Sequence, residues 1–354
     1  MASPAPSVAV VLVNWNGWHD CIECLDALLA SDHPRFDVFI VDNDSRDGSV
    51  ENIAEWCKAP TRGAGWRTFV GVESFSARRL PAPFEILDAG QTSAGNPASG
   101  PLVHIVRSGA NRGFAGGNNV GIVCAGVQRY DYFWLLNTDT VVRRDAMRLL
   151  VERALESPGI GIVGSTLRYY GNPETIQAMG GASLDRPRFL ARHIGLGKSI
   201  DELPASPAGV EAAMAYVVGA SMMVRREFIE KIGLMQEDYF LYYEEMDWAL
   251  RGQGKFTLAY APCSMVFHKV GQSSAKSAPL FSVRLMYRNR IKVVARFMPE
   301  LAWSAIRRMA VEAAILLLKG NLRHARAIGE ALCHCRALLR EGREGRVQAD
   351  VGSV

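Results

Sequence analysis

Val8-Ala-Val-Val-Leu-Val13-Asn-Trp-Asn-Gly17, read together with Phe36-Asp-Val-Phe-Ile-Val41-Asp-Asn-Asp-Ser-Arg-Asp-Gly48, decides the fold. Each is an apolar run of strand length, rich in Val and Ile, that stops at a cluster of turn-forming residues, as a strand buried on both faces does. Between them Cys21, Leu25, Leu28 and Leu29 share one helical stripe, and a second helix is expected over 49–56. A β-α-β-α start calls for right-handed crossovers and a Rossmann-like α/β sheet flanked by helices, with functional loops at the carboxyl ends of the strands.

Working outward, residues 58–101 break the rhythm. They are rich in Gly, Pro, Ala, Ser and Arg and read as an insertion with one strand near Phe69 or Phe84. The rhythm resumes at Val103-His-Ile-Val106, followed by the Gly and Asn loop 109–119, a helix to about residue 130, the strand Tyr132-Phe-Trp-Leu-Leu and a helix over 145–156. Ile160-Gly-Ile-Val163 and Tyr216-Val-Val-Gly-Ala-Ser-Met-Met-Val224 read as further strands, and 170–210 as a loop able to cover a site. After Phe267 the chain turns helical and basic to about residue 340. The expected architecture is a domain over 1–275 carrying the insertion, and a C-terminal helical basic region over 276–354.

Composition narrows the class. The chain has 354 residues, 49% of them hydrophobic, enough for one large domain and an appendage. A net charge of +4 is too small to argue for nucleic acid binding. Its distribution is informative: residues 284–343 hold thirteen Lys or Arg and four acidic side chains, so an anionic membrane surface is their natural partner, with a homodimer contact as the plainer reading. Seven scattered cysteines and an N-terminus without a basic, apolar leader point to reduced thiols in the cytoplasm. Cys21 and Cys24 have redox spacing but sit inside a helix, and Cys333-His-Cys335 lacks a second ligand pair for zinc. No apolar run reaches the length of a membrane span, which leaves a peripheral position on the inner face of the membrane as the expectation.

Two carboxylate clusters hang on the ends of apolar runs: Asp139 after Tyr132-Phe-Trp-Leu-Leu-Asn-Thr, and Glu244, Glu245 and Asp247 after Tyr239-Phe-Leu-Tyr-Tyr. The first ends a strand and the second opens a helix, so both can converge at the mouth of the sheet around a cation held against a phosphate, with a carboxylate left over as a base. Adjacent helical carboxylates point about 100° apart, which lets one face a metal and the other a hydroxyl. Asp42, Asn43 and Asp44 follow a buried strand toward the ligand crevice, although an Asx turn capping the helix at Ser49 uses the same residue types. Residues 111–119 offer backbone amides to a phosphate at a helix N-terminus, but glycines at 113, 116 and 117 do not fit the dinucleotide fingerprint. The plainer roles are a helix cap for Asp139 and a buried structural histidine for His268, which ends the alternation Met265-Val-Phe.

Val13-Asn-Trp-Asn-Gly17, Val41-Asp-Asn-Asp-Ser-Arg-Asp-Gly48, Asn111-Arg-Gly-Phe-Ala-Gly-Gly-Asn118, Leu135-Leu-Asn-Thr-Asp139, Gly219-Ala-Ser221, Phe240-Leu-Tyr-Tyr-Glu-Glu-Met-Asp-Trp-Ala-Leu-Arg251, and His268 with Gly271 and Ser273 follow one another in an ordered set. Over roughly 8–57 and 103–297 this set resembles the family-2 inverting glycosyltransferases of GT-A fold, and within them the bacterial rhamnosyltransferase-like branch. The resemblance implies that Asp42 contacts the donor base, with Asn14, Asp44, Asn111, Arg112, Gly113, Asn118 and Asn137 also on the donor side. It implies that Asp139 and His268 hold a divalent metal, Mg or Mn, supported by Glu244, and that Glu245 is the general base. Gly219, Ser221, Asp247, Trp248 and Arg251 would lie on the acceptor side. The chain departs from the pattern at Asn137, where many members have Asp, and at Glu245, where many have Asp after Glu.

For activity, the resemblance implies inverting, single transfer of a sugar from a nucleoside-diphosphate sugar, dTDP-rhamnose ahead of UDP-sugars, to a saccharide or lipid-linked saccharide in cell-surface polysaccharide synthesis. The Gln-x-x-Arg-Trp signature of processive synthases is absent. A sugar-phosphate nucleotidyltransferase would instead carry a Gly-rich loop with Arg and Lys after the first strand, where this chain has His19-Asp20. An inactive nucleotide-binding regulator would have no use for Asp139, Glu245 and His268 together.

Overall fold

The computed structural model describes residues 4–74, 76–78, 80–93, 101–186, 189–269 and 280–351, with the backbone alone at 78 and 345–351. Its centre is a ten-stranded sheet. Strands β1 (Val8–Asn14), β2 (Phe36–Asp42), β3 (Phe84–Asp88), β4 (Val103–Arg107) and β5 (Tyr132–Asn137) are parallel in the order β3-β4-β2-β1-β5. Then come β6 (Thr140–Val142), β7 (Ile160–Tyr169), β8 (Ile176–Met179), β9 (Gly181–Asp185), β10 (Leu190–His193), β11 (Tyr216–Val217), β12 (Ser221–Arg225) and β13 (Thr257–His268). The large sheet continues as β5-β12-β7-β13-β6 with β8 on β7, and β10-β9-β11 form a second, antiparallel sheet. Because β12 runs antiparallel to both β5 and β7, the large sheet is mixed.

Alternation along β1 explains the layers. Val8, Val10 and Leu12 join a core with α1 (Trp18–Leu29) and α2 (Ser49–Lys58), while Ala9 and Val11 face a second core under α3 (Gly113–Ala125). The first core also takes α4 (Ala146–Leu155), and beyond the short α5 (Ala208–Ala213) the second takes α6 (Arg226–Ile232) and Trp248 of α7 (Glu244–Gly252). α8 (Leu280–Phe297), α9 (Ala302–Leu318), α10 (Leu322–Cys333) and α11 (Cys335–Val351) share a third core with Met246 and Ala249 of α7 and with Tyr216.

Two expectations are corrected. Residues 170–210 are not an irregular loop but include short strands, two of which pair with each other. Tyr216 to Val224 is not one strand: 216–217 pair with β9 and 221 onward with β5, and the chain changes sheets at 218–220. Of the two positions expected for the insertion's strand, Phe84 carries it. Cys21 and Cys24 are buried, and burial pushes the Cys24 thiol up to about 12, which leaves them as packing residues. The boundary expected at 275/276, and Gly271 and Ser273, lie outside the described residues.

Candidate active site

The parallel register sets Asn14 directly beside Asp42 at the carboxyl ends of β1 and β2. Asp42 is buried and both its oxygens are engaged: Asn14 Nδ2 donates to one at 3.2 Å and the Ser45 amide to the other at 3.1 Å. Asn14 Oδ1 is buried with no hydrogen-bond partner among the described residues, an acceptor that a ligand's N–H or O–H would satisfy. Asp44 is exposed at φ +65°, and it is Asp47 that takes the Asx-turn role, accepting from the Ser49 amide at 3.1 Å.

Asn43, buried next to Asp42, ties this turn to the start of α3. Its Nδ2 donates to the Gly113 carbonyl at 3.0 Å and to Asn111 Oδ1 at 3.2 Å, and its Oδ1 accepts from the Arg112 amide at 3.1 Å. The Gly113 amide donates to Asn111 Oδ1 and the Phe114 amide to the Phe240 carbonyl, at 3.0 and 2.7 Å. The amides of residues 112–114 are thus consumed inside the protein, and the phosphate cradle expected there is not what they form. Asn118 is buried and donates to the Phe114 carbonyl at 2.9 Å, while the Arg112 side chain stands at the exposed rim. Gly117 and Gly121 are packing glycines: a Cβ would come within 2.6 Å of Val13 and 2.4 Å of Val11.

On the other side of β1, Asp139 follows Asn137 at the end of β5 and meets His268 at the end of β13. Asp139 Oδ1 is 3.1 Å from His268 Nε2, and His268 Nδ1 is 2.9 Å from Gln177 Oε1. When Nδ1–H donates to Gln177, Nε2 turns its lone pair toward the carboxylate. Two lone-pair atoms 3.1 Å apart are spaced as neighbouring ligands of one divalent cation, so the pair fits a metal, with Gln177 fixing the imidazole tautomer. When Nε2 carries a proton instead, it donates to Asp139, and against the upward push of burial this hydrogen bond holds the carboxyl below its ordinary range. Among the described residues no three His, Cys, Asp or Glu side chains gather on a common point, so Glu244 does not join Asp139 and His268.

Glu244 and Glu245 open α7 after a turn in which Phe240, Tyr242 and Tyr243 all have positive φ, at +64°, +70° and +76°. Such backbone costs about 1–3 kcal/mol per residue and persists only where the surroundings over-determine it. Asn289 of α8 supplies part of that constraint, its Nδ2 lying 2.8, 2.9 and 3.0 Å from the carbonyls of Tyr239, Leu241 and Tyr242. Gly113, at φ +68°, supplies more, since a Cβ there would stand 2.2 Å from the Phe240 carbonyl oxygen. Glu244 turns inward and is 2% exposed. Glu245 borders a cavity of about 280 Å³ walled by Phe189, Tyr216, Tyr243, Tyr287, Arg290 and Glu312. Each glutamate keeps one buried oxygen without a hydrogen-bond partner among the described residues. Burial pushes the Glu245 carboxyl up to about 7, and burial together with the neighbouring Glu245 raises Glu244 as well.

The segment 219–220 links the two halves. The Asn137 amide donates to the Ala220 carbonyl at 3.1 Å, and a Cβ on Gly219 would stand 3.8 Å from Glu245 Oε1. Glu245 and Asn137, two residues before Asp139, therefore flank one short stretch of backbone. Of the other residues expected on the acceptor side, Ser221, Asp247 and Trp248 are 1%, 0% and 0% exposed. Ser221 Oγ accepts from Trp134 Nε1 at 3.0 Å, Trp248 Nε1 donates to the Gly233 carbonyl at 2.8 Å, and Asp247 accepts from Arg251, Arg296 and the Tyr239 hydroxyl at 2.7, 2.8 and 3.0 Å. Arg251 also donates to the carbonyls of Ile232 and Leu234. These four are corrected to scaffold, because their polar atoms point into the interior.

The Glycosyl transferase family 2 model matches residues 9–70 and 85–233, more than half of the chain, including Asn14, Asp42 and Asp139. The chain belongs to this family. A curated relative, the low-salt glycan biosynthesis hexosyltransferase Agl10 of Haloferax volcanii, is 28% identical over 200 residues, which cover 53% of this chain and 59% of the relative's own length. Two solved structures share the fold: GalNAc-T7 with UDP, GalNAc and Mn2+ (TM-score 0.55, 15% identity, 83% of this chain and 48% of that one), and the mannosyltransferase PcManGT of Pyrobaculum calidifontis with GDP-Man and Mn2+ (TM-score 0.53, 16% identity, 99% and 88%). The architecture is accordingly GT-A. Within this family-2 chain, sequence reading overlooked Gln177, Asn289 and the cavity wall from α8 and α9. Only Asn43 carried a signal, as the middle residue of Asp42-Asn-Asp44.

Proposed function

We propose that the chain is an inverting, non-processive glycosyltransferase that moves a sugar from a nucleoside diphosphate to a hydroxyl of a saccharide or lipid-linked saccharide in cell-surface polysaccharide synthesis. The observation that supports this reading is Glu245, with one oxygen unpartnered among the described residues and bordering a cavity, beside the 219–220 segment whose Ala220 carbonyl takes the Asn137 amide, two residues before the metal-competent Asp139–His268 couple. Mg or Mn held by Asp139 and His268 would neutralise the charge left on the departing diphosphate. Asn14 Oδ1 accepts from the donor's base or ribose, and Asp42 holds Asn14 in place. Glu245 takes the proton of the acceptor hydroxyl as that oxygen bonds to the anomeric carbon and the carbon–phosphate oxygen bond breaks. Attack from the cavity side, opposite the diphosphate, inverts the anomeric carbon.

Donor choice starts from dTDP-rhamnose, on the sequence resemblance, followed by UDP- and GDP-hexoses. A thermal-shift panel of these donors with and without Mn2+ tests the reading: the matched donor raises the melting temperature only with metal, and Asp139→Ala or His268→Ala lowers donor affinity at least about tenfold. The anomeric configuration of the product, read by NMR, tests the stereochemistry. A product that keeps the donor's configuration refutes inversion, and metal-independent donor binding refutes the Asp139–His268 assignment.

A further inference from the structure

We propose that the outward face of α9, with the turn that joins it to α10, docks this protein onto an anionic lipid bilayer. The inner side of α9, Ala302, Ala305 and Met309, packs into the third core. A helix lying on a protein surface ordinarily turns its charged side to water. Here Trp303, Val311 and Leu318 are 61%, 57% and 89% exposed, and Leu317 and Leu322 extend the patch to the start of α10. At about 100° per residue, positions 303, 307, 311, 314 and 318 fall in one stripe about 80° wide. Its residues are Trp, Arg, Val, Ala and Leu, with no acid among them. Glu312 lies on the opposite side of the helix, 3.2 Å from Arg290 at the wall of the Glu245 cavity.

The charges around the stripe choose its occupant. Arg307, Arg308, Lys319, Arg323 and Arg326 are exposed on α9, the turn and α10. A second copy of the chain would bring these cations toward one another, whereas a bilayer with anionic headgroups takes the apolar stripe at the acyl boundary and the cations at the phosphates. Among the described residues no helix is long and apolar enough to cross a membrane, so the contact is an interfacial one. Docked this way, α9 separates the leaflet from the cavity by about one helix diameter, ~10 Å. An acceptor anchored in the same leaflet would reach Glu245 around that helix. The docking stands apart from the sugar-transfer reading: transfer to a soluble acceptor and vesicle binding succeed or fail separately.

The full chain, co-sedimented with phosphatidylcholine vesicles and with vesicles containing phosphatidylglycerol, is expected to bind the anionic ones at least about tenfold more strongly at low salt and to release them at high salt. The double variant Val311→Asp with Leu318→Asp is expected to lose that binding about tenfold or more while melting as the parent does. Replacing Arg307 and Arg323 with Gln is expected to flatten the salt dependence. Absence of binding to anionic vesicles at low salt overturns the proposal, as does undiminished binding by the double aspartate variant. A dimer in sedimentation velocity that this variant dissolves, without vesicle binding by the parent, assigns the face to a second copy and also overturns it.

Discussion

Replacing Glu245 with Gln keeps the side chain's volume and removes its charge, with two effects of opposite sign. Burial lifts this carboxyl from an ordinary 4.5 to about 7. A carboxyl with a raised folded pKa supports the fold fully below its unfolded value and withdraws that support as pH climbs to the folded one, here between 4.5 and about 7. By about pH 8 the cost approaches roughly 3 kcal/mol, an upper value because the adjoining cavity admits water. Gln never ionises, so the variant should be more stable than the parent at about pH 8, by up to ~3 kcal/mol, and indistinguishable from it at about pH 4. Turnover should move the other way, falling about 100- to 10,000-fold with the loss of a general base, while donor binding stays near the parental value. The parental rate itself should rise with pH through about 7, where Glu245 becomes ionised. Denaturant melts at the two pH values, with initial rates on a saturating donor, read both effects. Parental turnover in the variant would falsify the base assignment; a variant less stable than the parent at high pH would mean that the carboxylate is a structural ion.

Other substitutions probe how the turn before Glu245 is held. Gly113→Ala places a Cβ 2.2 Å from the Phe240 carbonyl oxygen at a positive φ, and is expected to cost about 1–3 kcal/mol of stability and to lower turnover more than donor affinity. Asn289→Leu leaves the carbonyls of Tyr239, Leu241 and Tyr242 without their shared donor; a loss of about 2–3 kcal/mol in urea melts is expected, and an unchanged midpoint refutes the clasp. Asp247→Asn leaves Arg251 and Arg296 facing a neutral partner at the centre of the fold, with an expected cost of about 3–5 kcal/mol and, in the folded fraction, donor affinity unchanged.

Legibility followed burial. β1, β2, β4 and β5 lie inside the sheet with helices on both faces, so they read as unbroken apolar runs, and Asp42 and Asp139 were visible as the polar residues that stop those runs. β13 was harder, because its ladder slips between Ala261 and Met265 around Pro262, which erases the alternation over half its length. Strands β9 and β10 are only partly buried and four or five residues long, so no apolar period marks them. Tyr216 to Val224 looked continuous since an apolar run carries no trace of which partner each half will find. Residues 111–119 suggested amides for a phosphate, yet the glycines at 113, 116 and 117 sit against Phe240, Arg112 and Val13. A glycine needed for close packing and one needed for a ligand look alike in one sequence.

The segment Glu244-Glu-Met-Asp-Trp248 shows where local reading stops. Helical geometry places 244, 247, 248 and 251 within about 100° of one another and sets 245 outside that arc, but nothing in those residues says which side faces the core. The choice is made some fifty residues later, where α8 lays Arg296 against Asp247 at 2.8 Å and Asn289 against the preceding carbonyls. A buried carboxylate needs its partners to stay ionised at tolerable cost, and Arg251 on the same helix supplies only one of them. The helices after residue 280 therefore complete the interior of α7 as well as walling the Glu245 cavity. Removing them would leave Asp247 under-compensated and the left-handed turn unclasped, so Glu245 would lose its position before any membrane contact was at issue.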